Sequence, residues 1–217
     1  MRFLTRCMLA IAYAYSAVVL GAAAAGDISK VNGSIKVEDG QQAGDVSTVN
    51  GSVTIGVGAR VGSVETVNGS VRIGDRAEVE SAETVNGSVT VGVDSLVREG
   101  IDTVNGSMTL RKGARVGGGL DNVNGAMLLE GARVEGGIDT VNGDIRVATG
   151  SRVTGGIHVE ENKSWFKSGH SDNPRITIEQ GTVVEGRLHF EREVDLYVAA
   201  GVTLPPIEGV PPKRFEL

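Results

Sequence analysis

The chain of 217 residues has little cysteine and few aromatic residues. Its single cysteine, Cys7, has no partner for an intramolecular disulfide, so packing and backbone hydrogen bonds must hold the fold. Aromatic residues make up 4% of the chain, and from residue 26 onwards all of them lie after residue 164. The core before that point is therefore expected to be narrow and aliphatic. No cofactor is expected, and no small-molecule pocket of roughly 300 Å³ inside the core.

Basic residues are also in the minority. The chain has 21 Lys and Arg against 27 Asp and Glu, which gives a net charge of −6. A protein this acidic, with no basic stripe, is not expected to bind nucleic acid. Disorder is excluded as well, because 40% of the residues are hydrophobic and they recur with a regular period.

The first 25 residues have a pattern of their own. Arg2 and Arg6 precede an uncharged run over residues 8–25, which ends in three alanines. This pattern predicts a secretory signal peptide over residues 1–25 and a periplasmic or secreted protein. The run is also long enough for an uncleaved membrane span, so an inner-membrane anchor is the alternative.

A Val-Asn-Gly tripeptide occurs seven times, at intervals of 18 or 19 residues. A unit this short cannot bury its own apolar face and is stable only when it stacks on its neighbours. The repeat therefore predicts a solenoid. Its asparagines are Asn32, Asn50, Asn68, Asn86, Asn105, Asn124 and Asn142.

Large aliphatic residues recur every six positions, as in Val61, Val67, Ile73, Val79 and Val85. Three such hexads make one coil with three sides, and each of these residues is expected to point inward. Between them, apolar and polar residues alternate with the period of a short strand. The prediction is an all-β, three-sided parallel β-helix of about nine coils, with about 18 residues in each. Hexads favour a left-handed helix, but its hand stays open.

Stacked coils place like residues above one another, about 4.8 Å apart. Asn-Gly is expected at a corner, where glycine supplies a positive φ, and the asparagine amides are expected to bond from coil to coil as a structural ladder. A column of serines should follow the ladder and a column of acidic residues should precede it. The acidic column consists of Glu65, Glu83, Asp102, Asp121 and Asp139.

The period divides the rest of the chain into segments. Coils with the ladder are expected over residues 26–160 and further coils over 174–204. A polar loop, residues 161–173, carries Trp165 and Phe166, a candidate contact site for a partner. Four prolines mark residues 205–217 as a tail that caps the last sheet edge. No comparable cap is evident before the first coil, so its edge is expected to pair end to end with a second copy or with an envelope partner.

The sequence shows little sign of catalysis or metal binding. Acyltransferases built from hexapeptide repeats use a histidine as general base, but His158, His170 and His189 lie outside the regular coils and no Ser/His/Asp arrangement is evident. The acidic column offers oxygen ligands for Ca²⁺, yet the glycine-rich calcium signature of other solenoids is absent. We therefore predict no enzyme, no metal site and no cofactor; a hexapeptide-type acyltransferase is the alternative from another class.

Two known families resemble parts of this chain. Residues 113–120, 131–138 and 174–188 resemble the coils of bactofilins, which are polymer-forming bacterial cytoskeletal proteins. The Val-Asn-Gly units resemble the repeats of bacterial adhesin-type β-solenoids, and together the two resemblances cover nearly all of residues 27–204. They imply a triangular β-helix, with the right-handed form slightly favoured, that joins end to end without a nucleotide.

Bactofilins are typically cytoplasmic, whereas this chain has an export signal. The expected function is therefore a non-enzymatic exported scaffold or adhesin-like protein of the cell envelope. A membrane-anchored bactofilin-like polymer is the alternative.

Overall fold

The computed structural model describes residues 26–161 and 173–216. The predicted signal peptide, Trp165, Phe166 and His170 lie outside this part of the chain. Within it the protein is all-β, and each strand pairs with its neighbours in parallel. The described residues include no helix long and apolar enough to span a membrane.

The strands are short, and three of them make up most coils. In chain order the first fourteen are β1 (Ile28–Asn32), β2 (Ile35–Val37), β3 (Val46–Asn50), β4 (Val53–Ile55), β5 (Arg60–Val61), β6 (Val64–Asn68), β7 (Val71–Ile73), β8 (Glu78–Val79), β9 (Ala82–Asn86), β10 (Val89–Val91), β11 (Leu96–Val97), β12 (Ile101–Asn105), β13 (Met108–Leu110) and β14 (Arg115–Val116). The others are β15 (Leu120–Asn124), β16 (Met127–Glu130), β17 (Arg133–Val134), β18 (Ile138–Thr140), β19 (Ile145–Ala148), β20 (Arg152–Val153), β21 (Ile157–Val159), β22 (Arg175–Ile178), β23 (Val183–Val184), β24 (Leu188–Phe190), β25 (Asp195–Val198), β26 (Ile207–Gly209) and β27 (Lys213–Glu216).

Three parallel sheets run the length of the stack. Sheet 1 has the order β1-β3-β6-β9-β12-β15-β18-β21-β24-β26, and sheet 2 has the order β2-β4-β7-β10-β13-β16-β19-β22-β25-β27. Sheet 3 is shorter, with the order β5-β8-β11-β14-β17-β20-β23. The three-sided parallel β-helix is confirmed, with about ten turns.

The proline-rich tail accounts for the last turn. It was expected to cap the final edge, and it lies there as two further strands: β26 pairs with β24 and β27 pairs with β25. The rings of Tyr197 and Phe215 stack at 4.6 Å across the second of these pairs, and Arg175 lies over the Tyr197 ring. The tail therefore continues sheets 1 and 2 instead of standing apart from the coils.

The interior is filled by one or two apolar side chains from each strand. In β7, Val71 and Ile73 are buried and Arg72 between them faces solvent, as strand alternation requires. Phe190 of β24 is fully buried, so the core becomes aromatic near its C-terminal end.

The valine of each Val-Asn-Gly unit was expected to point inward, and this expectation is wrong. Val31 is 67% exposed, Val49 is 39% exposed, and their equivalents in later coils are half-buried. The reason is that sheet 1 strands run through five residues. In β6, Val64 and Thr66 point inward, so Val67 must point outward. The strict six-residue period fails because the three sides differ in length.

The residue before each of these valines is buried instead. Thr48, Thr66, Thr84, Thr103 and Thr140 lie inside the stack, with Asn122 in the equivalent place. Thr66 Oγ1 donates to the carbonyl of Gly51 at 2.9 Å. The buried hydroxyls are thus satisfied by the backbone of the corner beside sheet 1.

The glycines of the Val-Asn-Gly units are needed for a different reason from the one expected. Only Gly33 and Gly125 have a left-handed φ. At Gly87, a Cβ would lie 1.9 Å from the carbonyl oxygen of Gly69 in the neighbouring coil. Glycine is therefore required here for close approach between coils.

The left-handed residues lie at another corner, between sheets 2 and 3. Glycine occupies this corner in seven coils: Gly40, Gly58, Gly113, Gly131, Gly150, Gly181 and Gly201. In the other two coils Arg76 and Asp94 adopt φ of 54° and 56°. These two side chains carry a conformational cost that glycine avoids.

Candidate functional site

The outer surface of sheet 1 carries the most regular polar columns of the molecule. Its strands place one outward residue per coil in direct register, because side chains alternate faces along each strand. The column begins at Ser29 and Ser47 and continues through Glu65, Glu83, Asp102, Asp121 and Asp139 to His158, His189 and Glu208. We call this set the acidic column. A second outward column on the same sheet contains the valines of the Val-Asn-Gly units.

The seven asparagines lie in a single column at the edge of sheet 1. Each Nδ2 donates to the Oδ1 of the asparagine one coil earlier, at 3.0–3.1 Å from Asn50 through Asn142. At the end of the ladder, Arg192 donates to Oδ1 of Asn142 at 2.7 Å. Every rung inside the ladder thus both donates and accepts.

Serines form a second ladder beside the first. Ser34 Oγ accepts from the backbone N–H of Ser52 at 3.2 Å, and the pattern repeats through Ser70, Ser88 and Ser107. These side chains join coil to coil through backbone groups. Both ladders stabilise the stack, and neither leaves a cleft.

The acidic column brings like charges to within one coil spacing of each other. Burial raises the pKa of the Glu65 carboxyl, and the charge of nearby Asp45 raises it further. Closely spaced carboxylates attract cations, whether metal ions or basic side chains of a partner. This surface is therefore the candidate functional site of the chain.

The column changes character at its C-terminal end. His158 Nδ1 lies 2.9 Å from Oδ1 of Asp139, and its Nε2 lies 3.5 Å from Oε1 of Glu191. The rings of His158 and His189 are 5.0 Å apart, and His189 Nδ1 lies 3.9 Å from Oε2 of Glu208. A shallow pocket is lined by these side chains together with Arg187.

Glu191 is held as a carboxylate in this cluster. The backbone N–H of Glu161 donates to its Oε2 at 3.0 Å, and this hydrogen bond is the main cause that lowers the pKa of Glu191. The neighbouring His158 and His189 lower that pKa further. The cluster thus combines two imidazoles with an ionised carboxylate.

Sequence reasoning did not bring these residues together. His158 and His189 are 31 positions apart because the segment around residues 161–173 lies between their coils. The signal was present in the matching triplets Ile157-His-Val and Leu188-His-Phe, which have the same in-out-in pattern. The third histidine, His170, and the candidate contact residues Trp165 and Phe166 lie outside the described residues.

Comparison with known proteins adds no further information on this site. No family profile, no curated protein and no solved structure matches the chain.

Proposed function

We propose that the chain is a non-enzymatic, exported structural protein of the bacterial cell envelope, a scaffold or adhesin-like rod that acts by stacking or by surface contact. The observation that carries this proposal is the acidic column beside a continuous asparagine ladder, repeated coil after coil around a filled interior. Such a surface offers many equivalent contacts to an extended partner. The signal-peptide pattern of residues 1–25 supports export.

A membrane-anchored, bactofilin-like polymer is the second candidate. In the described part of the chain, sheets 1 and 2 end in β1 and β2 at one end of the stack and in β26 and β27 at the other. Parallel strands at both ends allow one copy to continue the sheets of the next. Val31 of β1 adds a large exposed apolar side chain at the first of these ends.

Negative-stain electron microscopy of the purified chain, combined with fractionation of bacteria that express it, tests both candidates. The scaffold proposal predicts discrete rods about 50 Å long, since ten coils rise about 4.8 Å each, and recovery from the periplasm or medium. Long filaments recovered with the inner membrane would favour the polymer. Recovery from the cytoplasm alone would contradict export.

A pair of substitutions tests whether β1 is the assembling edge. Val31→Lys places a charge on the first strand and should shorten any filaments, because a charged edge resists pairing. Val49→Lys makes the same change one coil further into the stack and serves as the control. Equal filament lengths in the two variants would exclude assembly through β1.

A further inference from the structure

Three side chains at the C-terminal end of sheet 1 converge without a structural need to do so. His158 lies on β21, His189 lies beside it on β24, and Glu191 follows two positions later on the same face. One ligand atom from each lies within 4.8 Å of the other two. We propose that His158, His189 and Glu191 bind one divalent transition-metal ion of the Zn²⁺ class.

The environment of His158 is the first support. The Asp139 carboxylate only accepts hydrogen bonds, so the 2.9 Å contact places the proton of a neutral His158 on Nδ1. Its Nε2 then presents a lone pair toward the cluster. That atom is shielded from solvent and has no hydrogen-bond partner. A buried polar atom without a partner needs a reason, and metal ligation supplies one.

Asp139 and Glu208 occupy the positions of supporting residues. Ligating histidines commonly pass their second ring nitrogen to a carboxylate, which orients the ring and raises its basicity. Asp139 does this for His158, and Glu208 faces Nδ1 of His189. Arg187 in turn holds Glu208 at 3.0 Å. The acidic column therefore flanks the two histidines with a carboxylate on each side.

The strands hold the ligands on a rigid base. Ile157, Val159, Leu188 and Phe190 flank the two histidines and are buried in the core. Tetrahedral zinc with nitrogen ligands at about 2.0–2.1 Å keeps its donor atoms about 3.3 Å apart. Closing from 4.8 Å to that separation needs only side-chain rotation, because the backbone register already pairs the two histidines.

The ligand set selects the class of ion. Two imidazoles and one carboxylate suit Zn²⁺ and neighbouring transition metals, whereas Ca²⁺ and Mg²⁺ prefer oxygen ligands alone. Three protein ligands leave a fourth position open to water or to a group from a partner.

Isothermal titration of the purified full chain, carrying a tag without histidine, tests the site with ZnCl₂ and CaCl₂ as probes. We expect one zinc per chain. His158→Ala and His189→Ala should each weaken zinc binding at least 100-fold, and Asp139→Asn should weaken it about 10- to 100-fold as a positioning residue. Bound Co²⁺ should give a visible absorption band that both histidine variants lose.

Two further variants keep the result interpretable. Glu191→Gln is nearly isosteric and should weaken zinc binding with an unchanged circular dichroism spectrum. Glu130→Gln removes an exposed carboxylate from sheet 2 and should leave affinity unchanged. The proposal is overturned if the wild-type chain binds no zinc, if the double histidine variant binds it as well as wild type, or if Ca²⁺ binds with equal affinity.

Discussion

At the scale of single residues, two kinds of backbone position demand glycine. One is the corner between sheets 2 and 3, where φ is positive, and the other is the Val-Asn-Gly corner, where the neighbouring coil leaves no room for a Cβ. The sequence predicted glycine at both corners but assigned the positive φ to the second. Spacing alone shows that a residue recurs. It does not show which atoms of the next coil face it.

Arg76→Gly tests the cost of the left-handed corner. Arg76 has a φ of 54°, which glycine adopts without steric conflict, so we expect the variant to be about 0.5–1 kcal/mol more stable. Thermal unfolding followed by circular dichroism gives the comparison. Arg72→Gly is the matched control, because Arg72 is also exposed but lies in β7, where glycine weakens the strand. A loss of stability in both variants would contradict the interpretation.

Gly87→Ala tests the close approach between coils. The new Cβ would lie 1.9 Å from a backbone oxygen that cannot rotate away, so we expect a loss of at least about 2 kcal/mol. Gly137→Ala is the control, since its Cβ would meet its nearest atoms at 3.5 Å without a positive φ. The difference between the two melting temperatures measures the effect, and similar melting temperatures would show that the coils can separate at little cost.

At the scale of elements, the asparagine ladder is a chain of identical bonds with two ends. Asn86 both donates to Asn68 and accepts from Asn105, whereas Asn32 only accepts, from Asn50. Asn86→Ala should therefore cost about 1–2 kcal/mol and Asn32→Ala roughly half of that, since each such bond contributes about 0.5–1.5 kcal/mol. Chemical denaturation of both variants checks the ratio, and equal losses would mean that the rungs do not act through their neighbours.

Two carboxyls on different sheets should respond to pH in opposite directions. The pKa of Glu65 is raised by burial and by Asp45, so its ionised form opposes folding. The pKa of Glu179 is lowered chiefly by its hydrogen bond from Arg146, so its ionised form favours folding. At pH 7 we therefore expect Glu65→Gln to raise the melting temperature and Glu179→Gln to lower it.

The two differences should fade at different pH. The Glu65 penalty is complete above its raised folded pKa and absent below its ordinary value of 4.5. The Glu179 contribution is complete above 4.5 and is lost only as pH falls through its lowered folded pKa. Melting curves from pH 7 to pH 3 test this order. A loss of stability at pH 7 in both variants would contradict the assignment for Glu65.

Most of the outer columns could be predicted from the sequence, because a constant period places equal residues in register. The acidic column was recognised from Glu65 to Asp139 on this basis. Its continuation into His158 and His189 was missed, since the segment between them breaks the period and hides their equivalence. The outward valines were missed for another reason: a single six-residue rule cannot describe three sides of unequal length.

At the scale of the whole molecule, the stack behaves as a one-dimensional array in which each coil contacts only its neighbours. Changes in repeat length fall at the corner between sheets 3 and 1. Three positions separate Val79 from Ala82, whereas four separate Val97 from Ile101. The sheets keep their register across this change, because the extra residue is taken up in the corner. What the fold must preserve is therefore the register of the strands.

Deletion of whole and incomplete coils tests this register directly. Removing residues 65–82 takes out 18 residues and joins Val64 to Glu83, so every later side chain keeps its face. We expect a folded rod, shorter by about 4.8 Å and somewhat less stable. Removing residues 65–81 leaves Ala82 in an outward place and disrupts the first coil after the junction, because a slip of one residue exchanges the two faces of a strand. Small-angle scattering and circular dichroism should show a rod for the first deletion and a loss of cooperative unfolding for the second. Equal behaviour of the two deletions would mean that the corners, and not the strand register, absorb the change.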